Sequence, residues 1–319
     1  MTAYLVRRTG QAIVVVIGVM IVTFALIHLE PGSAARATLG TKANSERIAV
    51  FTAANGLNRP LAAQFATFVK QAAEGNFGTS YSLHQPVSTL IAQRLPRDAV
   101  LLGLSTLFAL AVALPMGIYQ AVRRGRAADH VLTVVSFVLY SMPDFFFALL
   151  LVALFSVQLH LLPSQAPQAE SVGGILGDPR ALVLPVVTLS LVSVAGFSRY
   201  MRSSAISTLA QDYILVARAK GLPGRLVLRR HVLRNSLLPV ITVLGLSAPA
   251  IVTGAVIAES VFNYPGMGLL FYQAATSKDY PVLLGSTLVV GVATVVGSLL
   301  ADIAYSLLDP RIRYDTDAL

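Results

Sequence analysis

Three carboxylates fall where a strongly apolar chain can least carry charge: Asp144 directly after Pro143, Glu259 near the end of one uncharged run, and Asp302 inside another. An aspartate at the centre of a lipid-spanning helix costs about 2.5 to 3.5 kcal/mol, so each should face protein or water. Proton relay or ion coupling is the chemistry such groups can do. No Lys or Arg within the apolar runs stands as an obvious partner for them, and two of the three lie near the end of a run. Other chemistries find no residues at all. The chain has no G-x-x-x-x-G-K-[ST] phosphate loop, no H-E-x-x-H pair and no G-x-S-x-G elbow. Its five histidines, His28, His84, His130, His160 and His231, are scattered, and the absence of Cys removes thiolate metal sites, Cys nucleophiles and disulfides together. The sequence offers no catalytic set, no metal site and no cofactor site. If ATP drives this protein, another chain must hydrolyse it.

The elements that hold these carboxylates are set by composition. Of 319 residues 55% are hydrophobic and 12% charged, which excludes an ordinary soluble domain and makes the lipid bilayer the solvent. Six segments are long enough for a hydrocarbon core that needs about 20 apolar residues, near 10 to 29, 99 to 122, 131 to 158, 182 to 202, 237 to 260 and 282 to 306. Pro115, Pro143, Pro185 and Pro249 lie in or near these spans and should kink helices or start them. Strand-like alternation is absent, so the fold class is an all-α polytopic membrane bundle rather than a β-barrel. Between the first two spans, Pro60 opens a helical pattern with Leu61, Phe65, Phe68 and Val69 on one face, and Gly75 closes it. Pro86 opens another, with Val87, Leu90 and Ile91 together, before Pro96. These helices form an extracytoplasmic cap that either braces the bundle or receives a partner. The organisation is therefore an N-terminus and first span over 1–29, the cap over 30–98, a core of five spans over 99–308 and a cytoplasmic tail over 309–319.

Net charge is +9, from 24 Lys and Arg against 15 Asp and Glu. The cations sit almost entirely in loops between apolar spans, so topology accounts for them and nucleic acid does not. Arg7 and Arg8 precede the first span, Arg123, Arg124 and Arg126 follow the second, and 199 to 234 is rich in Arg, whereas the short loops opposite carry only Arg180 and Lys278. The positive-inside rule puts both termini in the cytoplasm. A cleaved signal peptide is the rival for the N-terminus, since Ala35-Arg36-Ala37 imitates a cleavage site; the apolar run from Gln11 to Leu29 is too long for a signal core, which favours an uncleaved span.

One polar stretch, within 203–236, breaks the apolar pattern. Ile206, Leu209, Tyr213, Ile214 and Ala217 recur at helical spacing on one face, and Gly221 and Pro223 end that helix. Leu226, Leu233 and Leu237 draw a second apolar line among Arg225, Arg229, Arg230 and Arg234. This pair of short helices is too polar for the bilayer and too small for a core of its own. Docking on a partner protein explains it, with anionic lipid as the competitor for the basic face.

At these residues the chain resembles the permease subunits of ATP-binding-cassette importers, in the dipeptide, oligopeptide and nickel class. The general cytoplasmic signature of those subunits is a Glu-Ala-Ala helix, a Gly further on and a downstream Ile-x-Leu-Pro. Here Leu215 takes the Glu place, Ala217 the second Ala, Gly221 the Gly, His231 the Ile, Leu233 the Leu and Arg234 the Pro. The peptide-permease variant, ARAKGL followed by RHxLRNxLLP, is matched by 217–222 and 230–239. Similar segments follow in order along nearly the whole chain: QPVSTLIAQRLP at 85–96, RRGRAADH at 123–130, MPDF at 142–145, ESVFNYPGMG at 259–268 and LLDPRIR at 307–313.

The resemblance implies a permease subunit in a bacterial plasma (inner) membrane, importing peptides or similar small solutes. It implies a second homologous permease, two cytoplasmic subunits that bind ATP and Mg, and an extracytoplasmic solute-binding protein. ATPase coupling then falls to Asp212, Tyr213, Ala217, Arg218, Ala219, Lys220, Gly221, Leu222, His231, Arg234 and Asn235. Asp144, where similar permeases commonly have Ser, and Glu259, just before the N-x-P-G-x-G turn, become candidates for the pathway or gate. Glu259 reads equally as a carboxylate capping that turn. The competing function is an ion-coupled secondary transporter using Asp144, Glu259 or Asp302.

Overall fold

A computed structural model describes residues 2–29, 31–40, 42–169, 171–247 and 255–308. Among them every regular element is helical, and the β-type pairing is a single bridge between Thr79 and Pro86. The first helix, α1, covers Thr2–Leu29, with its apolar stretch at Ile13–Leu29. Three short helices build the cap: α2 (Ala34–Leu39), α3 (Ser45–Ala54) and α4 (Leu61–Ala73). As the sequence indicates, Pro60 stands at the N-cap of α4 and Gly75, at φ +75°, turns the chain after it.

Next comes α5, Val87–Val122, at 36 residues the longest helix. It corrects the expectation that the helix opened by Pro86 stops before Pro96. The helix runs through Pro96 and Pro115 alike. Losing one N–H donor at Pro96 does not end it, because packing holds both sides. Val87, Leu90 and Ile91 are buried with Met267, Leu270 and Leu283, and the next turn carries the buried Arg97 and Asp98. At 1.5 Å per residue α5 is about 54 Å long, well beyond a hydrocarbon core of about 30 Å, so it must project from the bilayer.

The expected third span, 131–158, is a bent pair. Helix α6 (Ala127–Ser141) and helix α7 (Asp144–Leu151), which continues as a π-helix over Val152–Gln158, meet at 103°. Pro143 causes the break: the residue before a proline is driven out of the α region, and Met142 sits at φ −80°, ψ 130°. A short α8 (Val172–Gly177) precedes α9, Pro179–Leu209, whose start is fixed by Asp178 accepting from the Ala181 N–H at 3.3 Å. Beyond it lie α10 (Asp212–Ala219), α11 (Gly224–Val227), a π segment over Leu228–Val232, and α12 (Leu233–Ser247). The described residues end in α13 (Val256–Val261), α14 (Met267–Ser277) and α15 (Tyr280–Leu308). By length and composition α5, α9 and α15 can each cross a membrane alone, and the bent pair counts as a fourth span if taken together. Pro249 and the middle of the expected fifth span lie outside the described residues, as do the side chain of Asp302 and residues 309–319.

The bundle is organised on α5 and α9, which pack along their length. Ser105, Ala109, Ala113, Gly117 and Ala121 recur every fourth residue on α5 and are all buried. Such a small-residue stripe lets two helix backbones approach closely where lipid supplies no hydrophobic drive. At Gly117 the approach is closest: a Cβ there would lie 2.7 Å from both Ser198 O and Met201 Cβ and 3.0 Å from Arg202 N. Four apolar clusters follow one another along α5, at Leu90, Leu101, Ala109 and Ala121.

The cap is pinned to the start of α15. Asp279, buried, accepts from Ser80 Oγ at 2.5 Å and from the Ser82 N–H at 3.0 Å, and Lys278 Nζ donates to Pro31 O at 2.5 Å. Phe24 of α1 meets Phe65 of α4 edge-on at 5.2 Å. Burial first, then the charge of Asp279, pushes the Tyr81 hydroxyl up, so it stays neutral.

Candidate functional site

The polar stretch folds into a compact excursion between α9 and α12. Helix α9 carries Ile206 and Leu209 in its last turn, Gln211 precedes α10, and Gly221 turns the chain at φ +78°. The Gly221 N–H donates to Arg218 O at 2.9 Å and the Leu222 N–H to Ala217 O at 3.3 Å, which closes the C-terminal turn of α10. Positive φ is what the sequence asks of Gly221.

Two expectations for this stretch are corrected. The second short helix is no separate element, since α11, the π segment and α12 follow one another without a break, so the polar excursion leads directly into α12. The core under the excursion is shared with α5 and α9. Ala121, Ala205, Ile214, Ala217, Val227 and Val232 are buried together, with Ile206, Leu209, Leu222 and Leu228 against them. The apolar line of the second half is thus Val227 and Val232, while Leu226 is 40% exposed. A π segment shifts the helical register, which spacing read at 3.6 residues per turn cannot anticipate.

Of the residues expected to meet a partner, Ala217 is buried and Leu222 and His231 are partly covered. Asp212, Tyr213, Arg218, Ala219, Lys220, Gly221, Arg234 and Asn235 are exposed. Asn235 Nδ2 donates to the Tyr213 hydroxyl at 2.9 Å and the Tyr213 and His231 rings stand 6.4 Å apart, so the two halves share one surface. Leu215 and Val216 add exposed apolar area of 59% and 52% to the outer face of α10. Exposed Arg225, Arg229, Arg230 and Arg234 border it. An apolar centre rimmed by cations is the composition of a protein-docking patch. At its base Arg202 makes a bidentate pair with Asp129, Nε to Oδ1 and Nη2 to Oδ2 both at 2.8 Å, and Asp129 also accepts from the Gly125 N–H at 3.0 Å. Sequence reading passed over this pair, whose members are 73 residues apart.

The second candidate region is the turn between α13 and α14. Glu259 is fully buried, and its carboxylate accepts from the Ala255 N–H at 2.5 Å and the Leu269 N–H at 2.8 Å, so it ties both ends of the turn. Tyr264, also fully buried, donates its hydroxyl hydrogen to Arg97 O at 2.6 Å, and the Met267 N–H donates to Asp98 Oδ2 at 2.9 Å. A Cβ on Gly268 would sit 2.7 Å from Val256 N, which explains a glycine there. Asp98 is the residue missed from sequence, its only local signal being a charge at the edge of the uncharged run from Ala99. Asp144 is exposed, in the first turn of α7 just past the 103° bend, and no hydrogen bond among the described residues links it to Glu259.

Long helices paired by small residues, a cap on one end and an exposed amphipathic helix set between α9 and α12 make a polytopic membrane protein. The chain belongs to the family of binding-protein-dependent transport system inner membrane components, which it matches over residues 113–314, and the N-terminal component of that system matches residues 1–102. It is 38% identical over 316 residues to the oligopeptide transport system permease protein AppB of Bacillus subtilis, covering 98% of this chain and all of that protein. It is 37% identical over 317 residues to a putative peptide permease protein of Brucella suis (98% of this chain, 99% of the relative). It is 32% identical over 337 residues to the dipeptide transport system permease protein DppB of Escherichia coli K12, again covering 98% and 99%. Members of this family are permease subunits of ABC importers, working with ATPase and binding-protein components. That membership decides against the ion-coupled secondary transporter.

Proposed function

We propose that this chain is the first permease of an ATP-driven importer of di- or oligopeptides, pairing with a second homologous permease to enclose the translocation path. Full-length similarity to permeases named for peptide transport carries this reading. Two ATP-binding subunits, holding ATP and Mg, dock on α10 and its basic rim, and a solute-binding protein delivers cargo on the cap side. The exposed Leu215 and Val216 beside Gly221 support the docking surface. Glu259 serves the pathway indirectly, as the tie of the α13–α14 turn, while exposed Asp144 stands at a break where a path can open.

Reconstitution tests this reading. The chain alone should neither bind nor hydrolyse ATP, and the assembled complex in liposomes should hydrolyse it faster when peptide-loaded binding protein is added. Nucleotide turnover by the isolated chain, surviving removal of trace ATPases, would sink the assignment.

The proposed topology has both termini and the α10 excursion in the cytoplasm of a bacterial inner membrane, in keeping with the loop arginines. Ser82→Cys and Ser171→Cys, both at exposed positions in this Cys-free chain, should react with an impermeant thiol reagent from outside. Ser80 is unsuited, being buried on Asp279. Ser207→Cys should stay unlabelled in intact cells, and its labelling would put the docking patch on the wrong side.

A further inference from the structure

Two carboxyl groups from distant parts of the chain, Asp98 on α5 and Glu259 on α13, are both fully buried and converge on Gly266. A Cβ at Gly266 would collide with Asp98 Oδ1 and with Glu259 Oε2, so these two oxygens point at one spot. Their hydrogen bonding is unequal. Each oxygen of Glu259 accepts a backbone N–H, from Ala255 and from Leu269. Asp98 accepts one, from Met267 at Oδ2, and its Oδ1 is buried with no hydrogen-bond partner among the described residues.

Other charged or titratable groups face the pair. Arg94 and Arg97 share α5 with Asp98, and Tyr264 reaches over from the turn. Arg97 Nη1 donates to Pro265 O at 3.4 Å, and the Tyr264 hydroxyl is committed to Arg97 O. A bare carboxylate oxygen buried against a second carboxylate is doubly unfavourable, for want of a donor and by like-charge repulsion. A single proton removes both penalties.

We propose that Asp98 and Glu259 form a proton-binding site, holding one proton on Asp98 Oδ1 that is donated to the Glu259 carboxylate. Donor counting fixes which group carries it. A protonated oxygen must donate, and both Glu259 oxygens already face N–H hydrogens, whereas Asp98 Oδ1 faces none among the described residues. The bond joins α5 to the α13–α14 turn without net charge beyond that of one carboxylate. Removal of the proton would leave two like charges at one point and push the turn away from α5.

Three variants, purified as the assembled complex, and an infrared spectrum of the parent test this. Asp98→Asn keeps the acceptor for the Met267 N–H and supplies an N–H where the proposal puts the O–H. Its folded yield after mild heating should stay near that of the parent. Asp98→Ala strands the Met267 N–H, and Glu259→Gln sets an amide N–H against a backbone N–H, so each should lower that yield about tenfold. The parent should show a protonated-carboxyl band at neutral pH that vanishes in Asp98→Asn. If Asn is as damaging as Ala, the pair is doubly ionised, balanced by Arg94 and Arg97 or by a bound cation, and the proposal fails. It fails too if Glu259→Gln is harmless, which would move the proton to Glu259, or if the parent lacks the band.

Discussion

Gly221→Val is expected to reach the membrane in normal amounts and yet to lose transport about tenfold or more, since left-handed φ costs a side chain bearing Cβ about 1 to 2 kcal/mol and a β-branched one more. The residue sits at φ +78° and ends α10, so the valine must distort the turn that presents the exposed face of that helix. Beyond its two chain neighbours, no atom of the described residues lies within 4 Å of where its Cβ would be, so the defect does not arise from packing against them. Stimulation of ATP hydrolysis by loaded binding protein should vanish with transport. Gly221→Asn separates the two causes, because asparagine tolerates left-handed φ. If Asn restores coupling, backbone strain is the fault, whereas failure of both variants means that the partner surface admits no side chain. Normal stimulated transport in the valine variant would remove this turn from the coupling path.

The second large effect is on the fold itself. Gly117→Leu should all but abolish accumulation of folded protein, since its Cβ alone would stand 2.7 Å from the Ser198 carbonyl oxygen, a backbone atom with nowhere to go. Overpacking of this kind costs about 1 to 3 kcal/mol in soluble cores and more where backbone must yield. Gly103→Leu, on the same helix but with no described atom outside its own helix turn within 4 Å of the added Cβ, is the control and should accumulate normally. Monodisperse protein recovered in detergent measures both. Equal recovery of the two would mean that α5 and α9 do not rely on close approach.

Local signals in the sequence reach as far as local physics does. Uncharged runs give α5 and α9, Pro143 gives a break in the third span, and Gly221 gives a helix end with positive φ. The 103° size of the bend is set by what α7 packs on, which includes α9 and α13, so spacing around Pro143 cannot supply it. Passage of α5 through Pro96 depends in the same way on contacts with α14 and α15. The turn holding Glu259 is half legible: its glycines and carboxylate are adjacent in sequence, but Asp98 joins it from 169 residues away. The stripe from Ser105 to Ala121, by contrast, was open to reading, because four-residue spacing of small side chains is itself a helix-pairing signal.

The close contact at Gly117 gives α5 the geometry of a lever with unequal arms. From that fulcrum one arm runs four residues to Ala121, in the cluster with Ile214 and Ala217, and the other runs back to Val87, packed under the cap. At 1.5 Å per residue the arms are about 6 Å and about 45 Å, so a tilt of α5 about Gly117 would displace the Val87 end about sevenfold more than the Ala121 end. A shift of about 1 Å at Ala121, within the range of helix movements at allosteric interfaces, would then correspond to several ångströms at Val87. Stroke is gained and force is lost in the same proportion.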